Sequence, residues 1–188
     1  MWSMTFNNLK KNSSFVNPKF KKLNSIPKKK LMIITCMDTR INPYDIFNLK
    51  LGDAHILRNA GGRVTPDILR SIIISYKLLQ INTIYLMQHT QCGLMTFKKK
   101  DFIKLISENS KPAFYDGNVW NNKGKKPLDK KKLSIAKNMS WYNFKNINNS
   151  LQNDLKSIRN NLLIPKNLKI FGFIYHVESG KLLYVNKT

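Results

Sequence analysis

The chain has 188 residues, 42% of them hydrophobic and 11% aromatic, with 33 Lys and Arg against 10 Asp and Glu for a net charge of +23. That length and apolar content suit one domain with a sizeable core and argue against a disordered chain, and no stretch approaches the roughly 20 apolar residues that cross a bilayer, so a soluble protein without a membrane partner is expected. The surplus charge is almost all lysine, strewn along the chain among equally abundant Asn and Ile; this looks like codon bias, and with little arginine for bidentate contacts and no aromatics interleaved with the basic runs, a specific nucleic-acid partner is not expected.

The first 37 residues contain neither Asp nor Glu. Lys10, Lys11, Lys19, Lys21, Lys22 and Lys28 to Lys30 repeat the bias seen elsewhere, so residues 1–30 read as a basic N-terminal arm of a cytoplasmic protein. Organellar targeting by this segment is the alternative.

Leu31 to Thr35 is an uninterrupted apolar run, as expected of a strand buried on both faces, and it delivers Cys36 at its carboxyl end. Pro43 opens a short helix through Phe47, Gly52 breaks the chain, and Ala54 to Arg58 makes a second strand that ends in Asn59-Ala60-Gly61-Gly62. Thr65, Pro66 and Asp67 together start a helix that runs to about Leu79: a hydroxyl cap, a proline in the first turn and an acid at the positive dipole end. Thr83 to Gln88 is a third strand, with His89 at its end.

After Cys92-Gly93 a helical segment is expected to reach about Glu108, its N-terminus aimed at the cysteine. Residues 110–140 are lysine-rich and broken by Pro112, Gly117, Gly124 and Pro127, and read as a surface insertion rooted by Trp120 and Trp141. A last helix spans about Phe144 to Leu163, and Leu168 to Val177 with Leu182 to Val185 form a terminal hairpin. There is no internal repeat. The expected fold is α/β, a mainly parallel sheet of about four strands flanked by helices, with a C-terminal hairpin and a single domain over 1–188.

Both cysteines lie in compact polar clusters just after strand ends, Cys36-Met37-Asp38-Thr39-Arg40 and His89-Thr90-Gln91-Cys92. In an open parallel sheet that edge is where ligands bind. Zinc takes thiolate sulfur and neutral imidazole in a tetrahedral shell, and Cys36, His89 and Cys92 offer three such ligands, leaving one position for water as catalytic sites do. Each cysteine alone could be a small buried hydrophobe. A disulfide between them is the other reading, disfavoured by the absence of an apolar signal segment and by too few cysteines for a secreted framework. The polar company of both favours the metal.

The order Cys-x-Asp-x-Arg after the first strand, Arg58-Asn59-Ala60-Gly61-Gly62 after the second and His89-x-x-Cys92-Gly93 after the third resembles the β-class carbonic anhydrases, their short bacterial branch most. The likeness extends through Leu51 to His55, Asp67 to Ser71 and Gly172 to Lys181, covering roughly Met32 to Val185. It implies that Cys36, His89 and Cys92 bind zinc and that zinc activates a bound water, whose hydroxide attacks carbon dioxide to give bicarbonate. Two thiolates put more negative charge on the metal than three imidazoles would, so that water should be less acidic unless something compensates. Asp38 and Arg40 would form the family's dyad, the arginine fork keeping the carboxylate ionised. Asp38 would either accept a hydrogen bond from the water or swing onto the metal as a conditional fourth ligand; both states stay open.

Gly93, Asn59 and Gly61 are candidates for orienting substrate or shaping the wall of the site, with plain turn positions as the alternative. His55 reads as a packed strand histidine rather than a proton shuttle, and His176 is assigned no chemistry. The family likeness further implies a homodimer or dimer of dimers whose arm, residues 1–25, packs on the partner. Thr39, Gln91 and the long insertion depart from the family pattern. Rival functions are hydrolysis of carbon disulfide or carbonyl sulfide on the same scaffold, and a non-catalytic basic zinc-binding or RNA-associated protein.

Overall fold

The computed structural model describes residues 22–124 and 127–185. Its centre is a five-stranded sheet in the order β2-β1-β3-β6-β7, built from β1 (Leu31–Cys36), β2 (Ala54–Asn59), β3 (Thr83–His89), β6 (Lys169–His176) and β7 (Lys181–Val185). The first four run parallel and β7 returns antiparallel to β6 as a hairpin. This is the expected mainly parallel sheet; the fourth parallel strand is itself the first arm of the hairpin. Every residue of β1 is buried, as a central parallel strand requires. β1 pairs with β3 from Leu31↔Thr83 to Thr35↔Met87, which brings the carboxyl ends of both strands to one edge.

Four parallel strands need crossovers, and the longer helices supply cover. Helix α1 (Pro43–Ile46) is a single turn, capped by Asn42, whose side chain accepts from the Tyr44 N–H. Helix α2 (Pro66–Leu79) starts as its sequence predicts, the Thr65 hydroxyl accepting from the Ile68 N–H, and stops at Gln80 in the left-handed region. Helices α3 (Lys99–Glu108) and α4 (Lys130–Asn138) follow, and α5 (Ile147–Asn160) leads to β6.

Ile68 and Ile72 of α2, Leu151, Leu155 and Ile158 of α5, and Met32, Ile34, Ile84 and Leu86 of the sheet share one core. Each such side chain taken out of water contributes about 1.5 to 3 kcal/mol before entropy is charged against it. Helix α5 lies so close to β6 that a Cβ on Gly172 would come within 2.8 Å of Leu155. On the other face of the sheet Phe47, next to α1, packs against Tyr85 and Phe173.

Two expectations are corrected. No helix begins at Gly93: Gly93–Met95 is a single 3-10 turn, closed by the Thr96 hydroxyl donating back to Gly93 O, and α3 starts only at Lys99. The surface insertion carries elements of its own: Phe114–Tyr115 (β4) pairs with Trp120–Asn121 (β5), and Asp129 caps α4. Trp120 donates to the Thr96 hydroxyl, and Trp141 stacks edge-on against Phe102. The last helix is shorter at both ends than expected, because Asn146 caps its start and Asn161 leaves helical angles. The arm expected to pack on a partner falls mostly in residues 1–21, outside the described residues. Among the described residues no helix is long and apolar enough to cross a membrane.

Candidate metal centre

Cys36 closes β1, His89 closes β3, and Cys92 sits in the turn that follows. Their sulfur and nitrogen atoms all lie within 4.8 Å of one another, and all three residues are buried. Both cysteines are free thiols, so the disulfide reading does not hold. The Nδ1 of His89 lies 2.8 Å from the carbonyl oxygen of Thr90. A carbonyl can only accept, so Nδ1 carries the proton and Nε2 offers its lone pair. That nitrogen is buried and has no hydrogen-bond partner, which a polar atom in a protein interior tolerates poorly unless something binds it.

The two thiols differ in acidity. Cys36 is lowered to about 4, first by the neighbouring Cys92 thiol, with the N–H groups of Asp38 and Gly61 assisting against burial. The Gly61 N–H reaches its Sγ at 3.2 Å. Cys92 is pushed up by the neighbouring Cys36 sulfur and by burial. A dication binds thiolate, so its uptake would release the remaining thiol proton. Two soft sulfurs and an unpartnered imidazole nitrogen fit zinc, so the donor set suits the metal expected of it.

Beside this cluster Asp38 and Arg40 form a bidentate pair. Arg40 Nε donates to Oδ1 at 3.0 Å and Nη2 to Oδ2 at 2.8 Å, while the Arg40 main-chain N–H adds a bond to Oδ1 at 3.0 Å. The Arg40 guanidinium, first among the causes, holds the Asp38 carboxyl at about 2. Its Oδ2 stands 3.9 Å from His89 Nε2, on the side of the metal position.

The glycines earn their places differently. Gly62, at φ +61°, passes so close to the central strands that a Cβ would lie 2.8 Å from Cys36 N and 3.0 Å from Met87 O. Only glycine fits there without moving backbone. Gly61 gives its N–H to the Cys36 sulfur, and Asn59 uses its amide on the main chain of Arg63. Gly93 has open space where a side chain would stand. His55 is packed between the Ser75 hydroxyl and Ser25 O, while His176 pairs with Glu178.

Two neighbours of the site were not among the sequence candidates. Arg58 donates to the main-chain oxygens of Cys36 and Asp38 at 3.0 and 2.7 Å, pinning the loop after β1. Gln91 accepts from Arg40 through its side chain and its main chain. Arg58 opens the conspicuous Arg-Asn-Ala-Gly-Gly run and Gln91 departs from the family pattern, so each carried a signal. A second polar cluster lies nearby. Asp154 of α5, nearly buried, accepts from Arg63 Nε and Nη2 at 2.7 and 3.0 Å, from Val64 N–H at 3.2 Å and from Gln88 Nε2 at 3.0 Å.

The carbonic anhydrase family profile matches residues 31–182. Beta-carbonic anhydrase 1 of Mycobacterium tuberculosis is 31% identical over 156 residues, covering 83% of this chain and 82% of that one. A carbon disulfide hydrolase of an Acidianus species is 29% identical over 167 residues, covering 85% and 78%. The crystal structure of a carbonic anhydrase from Streptococcus mutans superposes with a TM-score of 0.76 at 33% identity over 99% of both chains. With its Cys-His-Cys cluster at the carboxyl edge of a mainly parallel sheet, the chain belongs to the β-carbonic anhydrase family.

Proposed function

We propose that the protein catalyses the reversible hydration of carbon dioxide to bicarbonate and a proton, with zinc held by Cys36, His89 and Cys92. The observation that carries this reading is the buried, partnerless His89 Nε2 facing two sulfurs within 4.8 Å, with an ionised carboxylate alongside. Zinc bound there supplies the Lewis acidity that makes water a nucleophile near neutral pH.

The chain's own groups do the rest. Asp38, held near 2 by Arg40, is too weak a base to carry off a proton, so it accepts a hydrogen bond and orients the attacking water. Arg58 fixes the main chain on either side of Met37, and Thr90 O fixes the ring of His89. Stopped-flow hydration with a pH indicator tests the reading: zinc-loaded protein with no turnover at any pH up to about 9 would sink it.

A second reading has support in the relatives, since hydrolases of carbon disulfide share 27 to 30% of their residues with this chain. The donor set would serve either substrate, so turnover of carbon disulfide by the same preparation is the discriminating assay. A homodimer or dimer of dimers is supported by the aromatic face of the sheet, where Tyr184 on the outermost strand is 53% exposed beside Phe171 and Phe173; equilibrium sedimentation giving a monomer would overturn it. Cysteines that must stay reduced to bind metal support a cytoplasmic setting.

A further inference from the structure

Gln91 lies between the ligands His89 and Cys92, at φ +54°, and engages Arg40 twice. Its Oε1 accepts from Nη1 at 3.2 Å and its main-chain oxygen from Nη2 at 3.1 Å. Arg40 therefore bridges the two loops that carry the donor atoms, with Asp38 on one side of its guanidinium and Gln91 on the other. The side chain of Arg40 is 46% exposed, so packing alone does not fix it.

Among the described residues every hydrogen bond to the Asp38 carboxylate comes from Arg40. That carboxylate lies 3.9 Å from His89 Nε2. A dication bound at Nε2 attracts so near a carboxylate strongly, and the Arg40 fork is what competes for it.

From this juxtaposition we propose that Gln91 is a positioning residue: by clasping Arg40 it makes Arg40 retain Asp38, and so keeps the fourth position on the metal open to water. The inference rests on the zinc-enzyme reading above. Gln91 acts entirely through Arg40; it touches neither metal nor substrate. An amide oxygen suits this role, being long enough to span the loops and neutral, so it holds the guanidinium without adding a further charge beside two thiolates.

Gln91→Met keeps an unbranched side chain of similar length at the same backbone angle and removes the acceptor, whereas Gln91→Glu keeps an acceptor. The measurements, on zinc-loaded full-length protein, are kcat and KM for hydration and the rate of zinc loss to excess chelator. In Gln91→Met, kcat should fall about three- to tenfold, the scale of one ordinary hydrogen bond, with KM unchanged. Zinc should leave several-fold more slowly, because Asp38 now adds a protein ligand.

A merely loosened loop would shed zinc faster, so the sign of that change separates positioning from damage. Gln91→Glu is expected to release zinc at the wild-type rate, and adding Asp38→Asn to Gln91→Met should abolish the slow release. Should Gln91→Met not fold, Gln91→Asn, too short to reach Nη1 and tolerant of the backbone angle, takes its place. Release that is unchanged or faster in a variant lacking the acceptor, with wild-type zinc and activity intact, overturns this inference alone. A wild type that takes up no zinc overturns the enzyme reading and this inference with it.

Discussion

Gln88 and His89 are neighbours at the end of β3 and reach two different buried polar clusters. Through Gln88 the strand touches Asp154, whose two carboxylate oxygens take four hydrogen bonds and face one guanidinium. Through His89 it touches a group of three donor atoms that includes a nitrogen with no partner. In the first cluster the charges are matched: the Asp154 carboxylate is fully engaged and ties α5 to the chain after β2. The second is left open on the side of the metal. Burial alone therefore does not mark function; two sulfurs converging on an unpartnered imidazole nitrogen do.

The largest expected effect falls on the open cluster. Cys92→Ser should reduce zinc from about one ion per chain to under about a tenth and bring hydration to background, read by elemental analysis and stopped flow. Full zinc retention would remove Cys92 from the ligand set. Next comes the charge-matched cluster. Asp154→Ala strands the Arg63 guanidinium in the interior and should cost about 3 to 5 kcal/mol in denaturant unfolding, while the molecules that remain folded keep zinc. Zinc loss without a stability change would break the contrast between the two.

A smaller effect is expected where the dyad meets the metal: Asp38→Asn should retain zinc and lose about 10- to 100-fold in kcat. The smallest is on stability against pH. Because the Asp38 carboxyl titrates at about 2 in the fold and near 3.9 when unfolded, its contribution is present above about pH 4 and is lost as pH falls toward 2. Solvent screening of so exposed a pair should keep it to about 1 kcal/mol or less. Metal-free Asp38→Asn should lack that component in a comparison of acid unfolding, and an identical pH profile would show that the pair adds nothing.

Much of this was legible because it is local. An apolar run such as Leu31 to Thr35, short and ended by a polar cluster, reads as a buried strand, and Thr65-Pro66-Asp67 is a helix start in three residues. The donor atoms were legible because they end two such runs. What escaped was set by tertiary contact. The turn after Cys92 stops short because a threonine hydroxyl returns to Gly93 O, a choice that helical periodicity does not register. The Arg63–Asp154 pair joins positions 91 residues apart, and α4 owes its place to packing on α3 across a stretch that composition alone marks as loop. Gln91 was visible as an oddity, but its use required seeing Arg40 arrive from another loop.

The neighbour relation of β1 and β3 has a consequence for assembly. Cys36 and His89 meet only when those two strands pair, with β2 and α2 between them in the chain. No short peptide fragment contains the donor set, and local helix formation cannot create it. Metal uptake therefore reports the late, long-range step of forming the sheet. Cobalt colour developing during refolding would act as a clock for the closing of the central strands, separate from any signal given by the helices.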